Sequence, residues 1–487
     1  MNVSHVVSGR SRQERTVQEP TIDALPRFPG GFLWGTATSA YQIEGAVAED
    51  GRGTSVWDAF CAAPGRIKNG DTGAIACDHY HRWPEDLALM AGLGVNAYRF
   101  SVAWPRIQPE GRGAANATGL DFYDRLVDAL AERGIAPALT LYHWDLPQAL
   151  QDDGGWMNRD TAHRFAEYAA LVADRLGDRV PTWITLNEPF VHMTEGYGLG
   201  THAPGEALLL DALPAAHHLL LGHGLAVPAL RERTSGQIAI TNNYSPVWAA
   251  TGSSADRAAA TAFDALQNRL FTDPVLLGRL PDLTAFGIGD PPFVRDGDLR
   301  TVSAPIDRLG VNYYSPTMVA APHTAPAPSG PSGASVLGEV GDRLDGAGLP
   351  FQDTPIEGYP STAFGWPVVP DGLREMLVAL RDRYGDALPP ILVTENGCSA
   401  RDEPGRPDLE RIEYLDGHLR ALHRAVEAGV DVRGYFVWSL LDNFEWAEGY
   451  DQRFGLVHVD FTTWERTPKA SYHWFRRQLE AQRRPAR

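Results

Sequence analysis

Three cysteines in 487 residues, Cys61, Cys77 and Cys398, fall into no CxxC or other metal-binding spacing, and their odd number builds no disulfide framework. A reducing compartment fits this usage. The chain also lacks any apolar run of about 18 residues, so no membrane-spanning helix and no membrane partner are expected. Residues 1–26 are polar and Arg-bearing without the apolar stretch of a secretory signal. They read as a disordered extension of a cytoplasmic protein. No basic patch stands out outside the tails, and the net charge of −18 argues against nucleic acid, whose phosphates would be repelled. Neither a short-period repeat nor a Gly-rich phosphate loop is present: Gly30-Gly31 precede the first apolar run and Gly35 lies inside it. No cofactor and no metal are therefore expected.

What is present is a regular alternation. Short runs rich in β-branched and aromatic residues occur at 32–40, 95–104, 136–144, 182–188, 237–243, 308–315, 391–396 and 433–440. Between and after them, segments at 85–93, 120–133, 159–176, 214–231, 256–270, 371–384, 409–428 and 469–482 carry apolar residues at helical spacing. Strands alternating with helices imply parallel pairing through right-handed crossovers. Eight such units point to an α/β chain folded as a single (β/α)8 TIM barrel with extended βα loops over 27–487, more than to an open doubly wound sheet. The Pro-, Gly- and Ser-dense stretch 322–350 reads as a long insertion after the sixth strand.

In such a barrel the strand ends share one face, so the polar residues closing each run become neighbours. They are Gln42 after the first, Arg99 in the second, His143 and Trp144 on the third, and Asn187 and Glu188 on the fourth. Asn312 and Tyr314 follow on the sixth, Glu395 and Asn396 on the seventh, Trp438 on the eighth, and Glu445 and Trp446 in the loop beyond. Two strand-end carboxylates among amides, a histidine and several tryptophans suit a carbohydrate site. Glycoside hydrolysis needs an acid for the leaving oxygen and a second carboxylate at the anomeric carbon, and Glu188 and Glu395 fit those roles. A separation of about 5–5.5 Å would mean retention, and roughly 6.5–9.5 Å inversion. The fixed cation Arg99 would keep Glu395 ionised, and that charge would keep Glu188 protonated.

The segments FLWGTATSAYQIEG, CDHYHRWPEDLALM, YRFSVAWPRI, LYHWDLPQAL, TLNEPF, GVNYYS, TENG and SLLDNFEWAEGYDQRFGL occur in this order from Phe28 onward. Together they resemble the retaining β-glycosidases of glycoside hydrolase family 1, with bacterial β-glucosidases the nearest in pattern. The resemblance implies that Glu395 is the nucleophile and Glu188 the acid/base. It further implies that Gln42, His143, Trp144, Asn187, Glu445, Trp446 and Phe454 bind the sugar, with Trp438 as a platform under its ring. Tyr314 would bond the nucleophile, with Asn312 nearby. Phosphorylated-sugar members place Ser and Lys where this chain has Glu445, whose charge would repel phosphate, so an unphosphorylated glycoside or cello-oligosaccharide is the expected partner. Glu188 excludes the myrosinase type, which carries Gln there. Where the family commonly has Trp after Asn-Glu-Pro this chain has Phe190, which with Trp366 is assigned to the aglycone side. β-D-Glucosides, with galactosides and fucosides beside them, are the expected substrates, and homo-oligomerisation is left open.

Two rival readings remain in view. A non-catalytic sugar receptor would have lost one of the carboxylates, and both are present. A metal hydrolase could use the pair His79 and His81, but these open a helix instead of closing a strand, so structural hydrogen bonds are expected of them. His217, His218 and His223 read as packing residues of a helix. Trp34, Trp57, Trp83, Trp104 and Trp183 read as core, and Glu85 and Asp86 as the acidic start of a helix.

Overall fold

In the computed structural model, which describes residues 23–322, 348–402 and 406–483, eight parallel strands close into a barrel. They are β1 (Leu33–Ala37), β2 (Ala97–Ser101), β3 (Ala136–Tyr142), β4 (Thr182–Asn187), β5 (Gln237–Asn243), β6 (Arg308–Asn312), β7 (Ile391–Asn396) and β8 (Val432–Trp438). Each pairs with its neighbours in chain order, and β1 closes the ring against β8, with Ala37 opposite Trp438. Every residue of β2, β4 and β7 is buried, as strands covered on both faces must be.

A main helix follows each strand, with shorter ones in the loops: α1 (His79–Leu93), α2 (Ala117–Glu132), α3 (Asp160–Leu176), α4 (Leu213–Arg231), α5 (Ser254–Asp264), α6 (Pro370–Tyr384), α7 (Leu409–Glu427) and α8 (Ala470–Arg483). All eight strand runs and all eight helical segments of the sequence are thus found. Inside the barrel, Phe436 of β8 packs with Ala37, Ala97 and Ala138. Gly35 must lack a side chain, because a Cβ there would meet the Phe436 ring at 2.2 Å.

The strands end earlier than the apolar runs. His143, Trp144 and Tyr314, expected on strands, stand just beyond β3 and β6, where ladder pairing stops and the chain turns over the rim. The first run likewise leaves β1 for a short helix, Ala40–Ile43, anchored by the Ser101 hydroxyl accepting from the Ala40 N–H at 2.7 Å. Glu85 and Asp86 do not start a helix. The helix begins at His79, and Asp86 is fully buried in its interior, bonded to His79 Nδ1 at 2.7 Å and to Arg466 Nε at 2.9 Å.

His81 turns to Asp78 and Glu49, so the histidine pair is divided between separate carboxylates. His217 bonds Asp298, His218 the Trp156 carbonyl, and His223 the Thr185 hydroxyl. Trp34, Trp57, Trp104 and Trp183 are buried, and Trp83 is half-buried. Most of the expected amino-terminal extension and of the 322–350 insertion lies outside the described residues. Their described margins are packed: the Leu25 N–H bonds Gln478 of α8 at 2.9 Å, and Leu349 is buried. No described helix is long and apolar enough to cross a membrane.

Candidate active site

The site grows from two irregular strand ends. The register of β4 against β5 shifts between Ile184 and Asn187, and that of β7 shifts against β6 between Val393 and Glu395 and against β8 between Val393 and Asn396. Such irregularities bend a strand and re-aim its side chains. Here they fall next to Glu188, the first residue beyond β4, and at Glu395, which stays in the ladder opposite Asn312. Glu188 also sits in the left-handed region, at φ 44°, a conformation that costs a non-glycine residue roughly 1–3 kcal/mol and persists only where surroundings enforce it. Trp144 (φ 77°) and Trp446 (φ 50°) share that strain.

Glu188 and Glu395 are both buried, and one polar network joins their partners. Arg99 forms an ion pair with Glu395 Oε1 and donates through its other terminal nitrogen to Asn187 Oδ1. Asn312 donates to Glu188 Oε1 at 2.8 Å and to Asn187 Oδ1 at 3.2 Å. The Tyr314 hydroxyl donates to Glu395 Oε2 at 2.8 Å. Burial first, and then the charge of Glu395, push the Glu188 carboxyl up to about 8, so it holds its proton at neutral pH. The order of causes differs from the sequence expectation, in which the charge of Glu395 alone was invoked.

The sugar-binding candidates surround this pair. His143 Nε2 lies 3.1 Å from Asn187 Nδ2 and therefore accepts, which requires the proton on Nδ1. Burial, with Arg99 next, holds the ring well below its ordinary pKa and neutral. Trp144 donates to the Asn187 carbonyl at 2.9 Å. Gln42 accepts from Ser39 at 2.6 Å and donates to the Phe444 carbonyl at 2.9 Å, with Glu445 Oε2 at 3.4 Å. The carboxyl of Glu445 is also pushed up to about 8, by burial and then by Glu395 and Glu188. Trp438 stacks on His143 with centroids 6.0 Å apart. Trp366 packs edge-on against Tyr314 at 5.4 Å and near Phe454 at 6.1 Å, so these two residues share one wall. Phe190 is buried and faces Phe271 instead, at 6.3 Å.

Several contributors carry no local signal in the sequence. Trp57, assigned to the core, also packs 4.5 Å from Trp446, and His202 inserts between Trp57 and Trp144 at 5.4 and 5.9 Å. Burial brings His202 down to about 4, so it acts as a neutral aromatic. Phe364 stacks on Trp366 at 4.3 Å. Thr394, directly before Glu395, donates to Asn312 Oδ1 at 2.7 Å and could have been read from the TENG segment. Gly397, the last residue of that segment, has no room for a side chain: a Cβ there would lie 1.7 Å from the Trp438 carbonyl oxygen. Among the described residues, no cluster of three or more His, Cys, Asp or Glu side chains is arranged to hold a metal.

Residues 25–483 match the sequence model of glycosyl hydrolase family 1. The chain is 51% identical to thermostable beta-glucosidase B of Thermobispora bispora over 92% of its own length and 90% of that protein. It is 47% identical to a bifunctional beta-D-glucosidase/beta-D-fucosidase of Bifidobacterium breve, over 92% and 97% of the two chains. Among solved structures, a beta-glucosidase from Thermotoga maritima in complex with noeuromycin superposes with a TM-score of 0.84 at 41% identity, covering 94% of this chain and 99% of that one.

Proposed function

The chain belongs to glycosyl hydrolase family 1, and from that membership and the site geometry we propose that it is a retaining β-glucosidase acting on terminal nonreducing β-D-glucosyl residues. β-D-Fucosyl and β-D-galactosyl residues are included in its range, the first supported by the bifunctional relative. The observation that carries the reading is the buried pair Glu188 and Glu395, bridged through Arg99, Asn187 and Asn312.

Glu188 starts protonated and gives its proton to the glycosidic oxygen as the aglycone leaves. Glu395 attacks the anomeric carbon, breaking the bond to that oxygen and forming a covalent glycosyl-enzyme. Esterification removes the charge on Glu395, and with it one of the two causes that raise the Glu188 pKa. Glu188, left as the carboxylate by that transfer, is therefore less driven to regain a proton from solvent and takes one from the incoming water, whose oxygen displaces Glu395 with a second inversion and net retention. Arg99 and Tyr314 hold the two oxygens of Glu395 in place for attack. Asn187, His143, Gln42 and Glu445 are assigned to the sugar hydroxyls, and Trp438 and Trp446 to its faces. Three buried free cysteines support placing the enzyme in a reducing cytoplasm.

Two substitutions test the roles. Glu395→Ala abolishes aryl β-glucoside hydrolysis, and azide restores turnover to give the inverted α-glucosyl azide. Near-full activity without azide would sink the nucleophile assignment. Glu188→Ala hydrolyses activated aryl glucosides far better than alkyl ones, because they need little proton assistance. Equal losses on both would remove the acid role.

A further inference from the structure

The amino-terminal mouth of the barrel, at the end away from Glu188 and Glu395, holds an open cavity of about 660 Å³. Leu33, Ala136, Thr182, Gln237 and Arg308, the first residues of β1, β3, β4, β5 and β6, line it together with Arg433 of β8. Leu33 and Ala136 pack against the lumen cluster around Phe436, so the barrel core closes its floor. Small-molecule sites occupy roughly 300–1,000 Å³, and this cavity is of that size.

Its charged lining is three arginines, Arg179, Arg308 and Arg433, and one aspartate, Asp178. The chain as a whole has the opposite balance, a net charge of −18. The three arginines come from separate elements and form no basic run, so the sequence does not announce them. Arg179 is paired with Asp124, Asp128 and Asp178, and Arg433 with Asp431. Arg308 differs. Its guanidinium donates to the Asp307 carbonyl at 3.0 Å, and no described carboxylate lies within ion-pair distance of it. The carboxylate of Asp307 is taken by Arg231 at 2.6 Å and by the Ile238 N–H at 2.7 Å.

Arg308 is half-buried, and burial first, then the charge of Arg433, hold its pKa below the ordinary value. A cation partly stripped of water beside a second cation is stabilised by an anion. Gly30 and Gly31 line the same cavity, and their N–H groups donate to no described residue. Thr182 and Gln237 add a hydroxyl and an amide.

We propose that this cavity binds the dianionic phosphate group of a small molecule, with the Arg308 guanidinium as its anchor and Arg433, Gln237 and the Gly30-Gly31 backbone around it. A planar guanidinium takes phosphate oxygens in pairs. The group is free phosphate or part of a phosphate monoester. Bound there, it ties the openings of β6 and β8 to the turn before β1, where the barrel closes, and so stabilises the fold from the mouth opposite the chemistry.

The test is thermal unfolding of the purified full-length protein, above the second ionisation of phosphate, with sodium phosphate replacing sodium chloride at constant ionic strength. The melting temperature rises along a saturating curve. Phosphate also strengthens burial in any protein through its exclusion from the surface, but that effect does not saturate. Arg308→Gln raises the half-saturating concentration by about tenfold or more, the loss expected for hydrogen bonds to a charged group. Arg433→Gln, at an exposed side chain, raises it severalfold, and Arg164→Gln, at the far end of α3, leaves it unchanged. A rise that is absent or does not saturate, or a half-saturating concentration unchanged in Arg308→Gln, would overturn the proposal. Should that variant not fold, an unchanged value in Arg433→Gln does the same. In a repeat with glycerol 3-phosphate, half-saturation below that of phosphate identifies an ester as the occupant, and an equal or higher value identifies the free ion. Glycoside hydrolysis is not the readout, so failure here leaves the β-glucosidase reading standing.

Discussion

Asn312 Nδ2 donates to Glu188 Oε1 at 2.8 Å, while Asn312 Oδ1 accepts from the hydroxyl of Thr394, the neighbour of Glu395, at 2.7 Å. One amide side chain thus orients Glu188, the proposed acid, and braces the strand that carries Glu395, the proposed nucleophile. Its N–H favours the ionised form of Glu188 and works against burial and the charge of Glu395, which raise the pKa.

The pH profile follows from that opposition. Activity requires protonated Glu188, so kcat/KM falls as pH rises through about 8. Removing the Asn312 donor in Asn312→Ala raises the pKa further. The basic limb therefore moves to higher pH even as the rate drops. A limb that stays in place or moves down would show that Asn312 does not act on Glu188.

Tyr314 tests the support of the nucleophile. Tyr314→Phe removes the 2.8 Å bond to Glu395 but keeps the ring against Trp366. Hydrogen bonds to charged groups contribute about 1.5–3 kcal/mol, so kcat/KM falls roughly 10- to 100-fold. The melting temperature changes little, because the Tyr314 backbone carbonyl still accepts from Tyr414 at 3.2 Å. Unchanged kinetics would remove Tyr314 from the machinery.

Stability has its own pH dependence at Glu188. Its carboxyl rises from 4.5 to about 8 on folding, so between those values the folded chain holds a proton that the unfolded chain has released. Stability from this group is therefore lost as pH rises through that window, and the loss is complete above about 8. Glu188→Gln lacks the penalty. Its melting temperature relative to the unsubstituted protein rises steadily from pH 5 to pH 8 and levels off beyond, which thermal unfolding across pH checks.

The expected exclusion of 6-phosphoglycosides would have a different cause from the one the sequence suggested. Glu445 is pushed up to about 8, so at neutral pH it carries little charge with which to repel phosphate. Among the described residues, no cation is ion-paired with it. Lys469 and Arg453 are both bound to Asp442, at 2.7 and 3.1 Å. A phosphate would enter this buried end unpaired. Parallel assays of aryl β-glucoside and its 6-phosphate should give turnover only with the first, and Glu445→Gln alone should not create activity on the second.

The sequence by itself determined the barrel and singled out the two carboxylates proposed to react. Strand runs such as Ile391-Leu392-Val393 are apolar on both faces because helices cover them outside and other strands' side chains fill the lumen, and that demand is written locally. The polar residues that end those runs, from Arg99 to Glu395, were legible for the same reason: a strand end in a parallel barrel has one place to go.

Only the tertiary structure decided how those residues face one another. The register shifts in β4 and β7, the left-handed turn at Glu188, the exclusion of a Cβ at Gly397 by the Trp438 carbonyl, and the joining of Trp57 and His202 to the sugar-site aromatics all depend on contacts between segments distant in the chain. So does the pKa of Glu188, because burial, its largest cause, is produced by the whole fold and not by any neighbour in sequence.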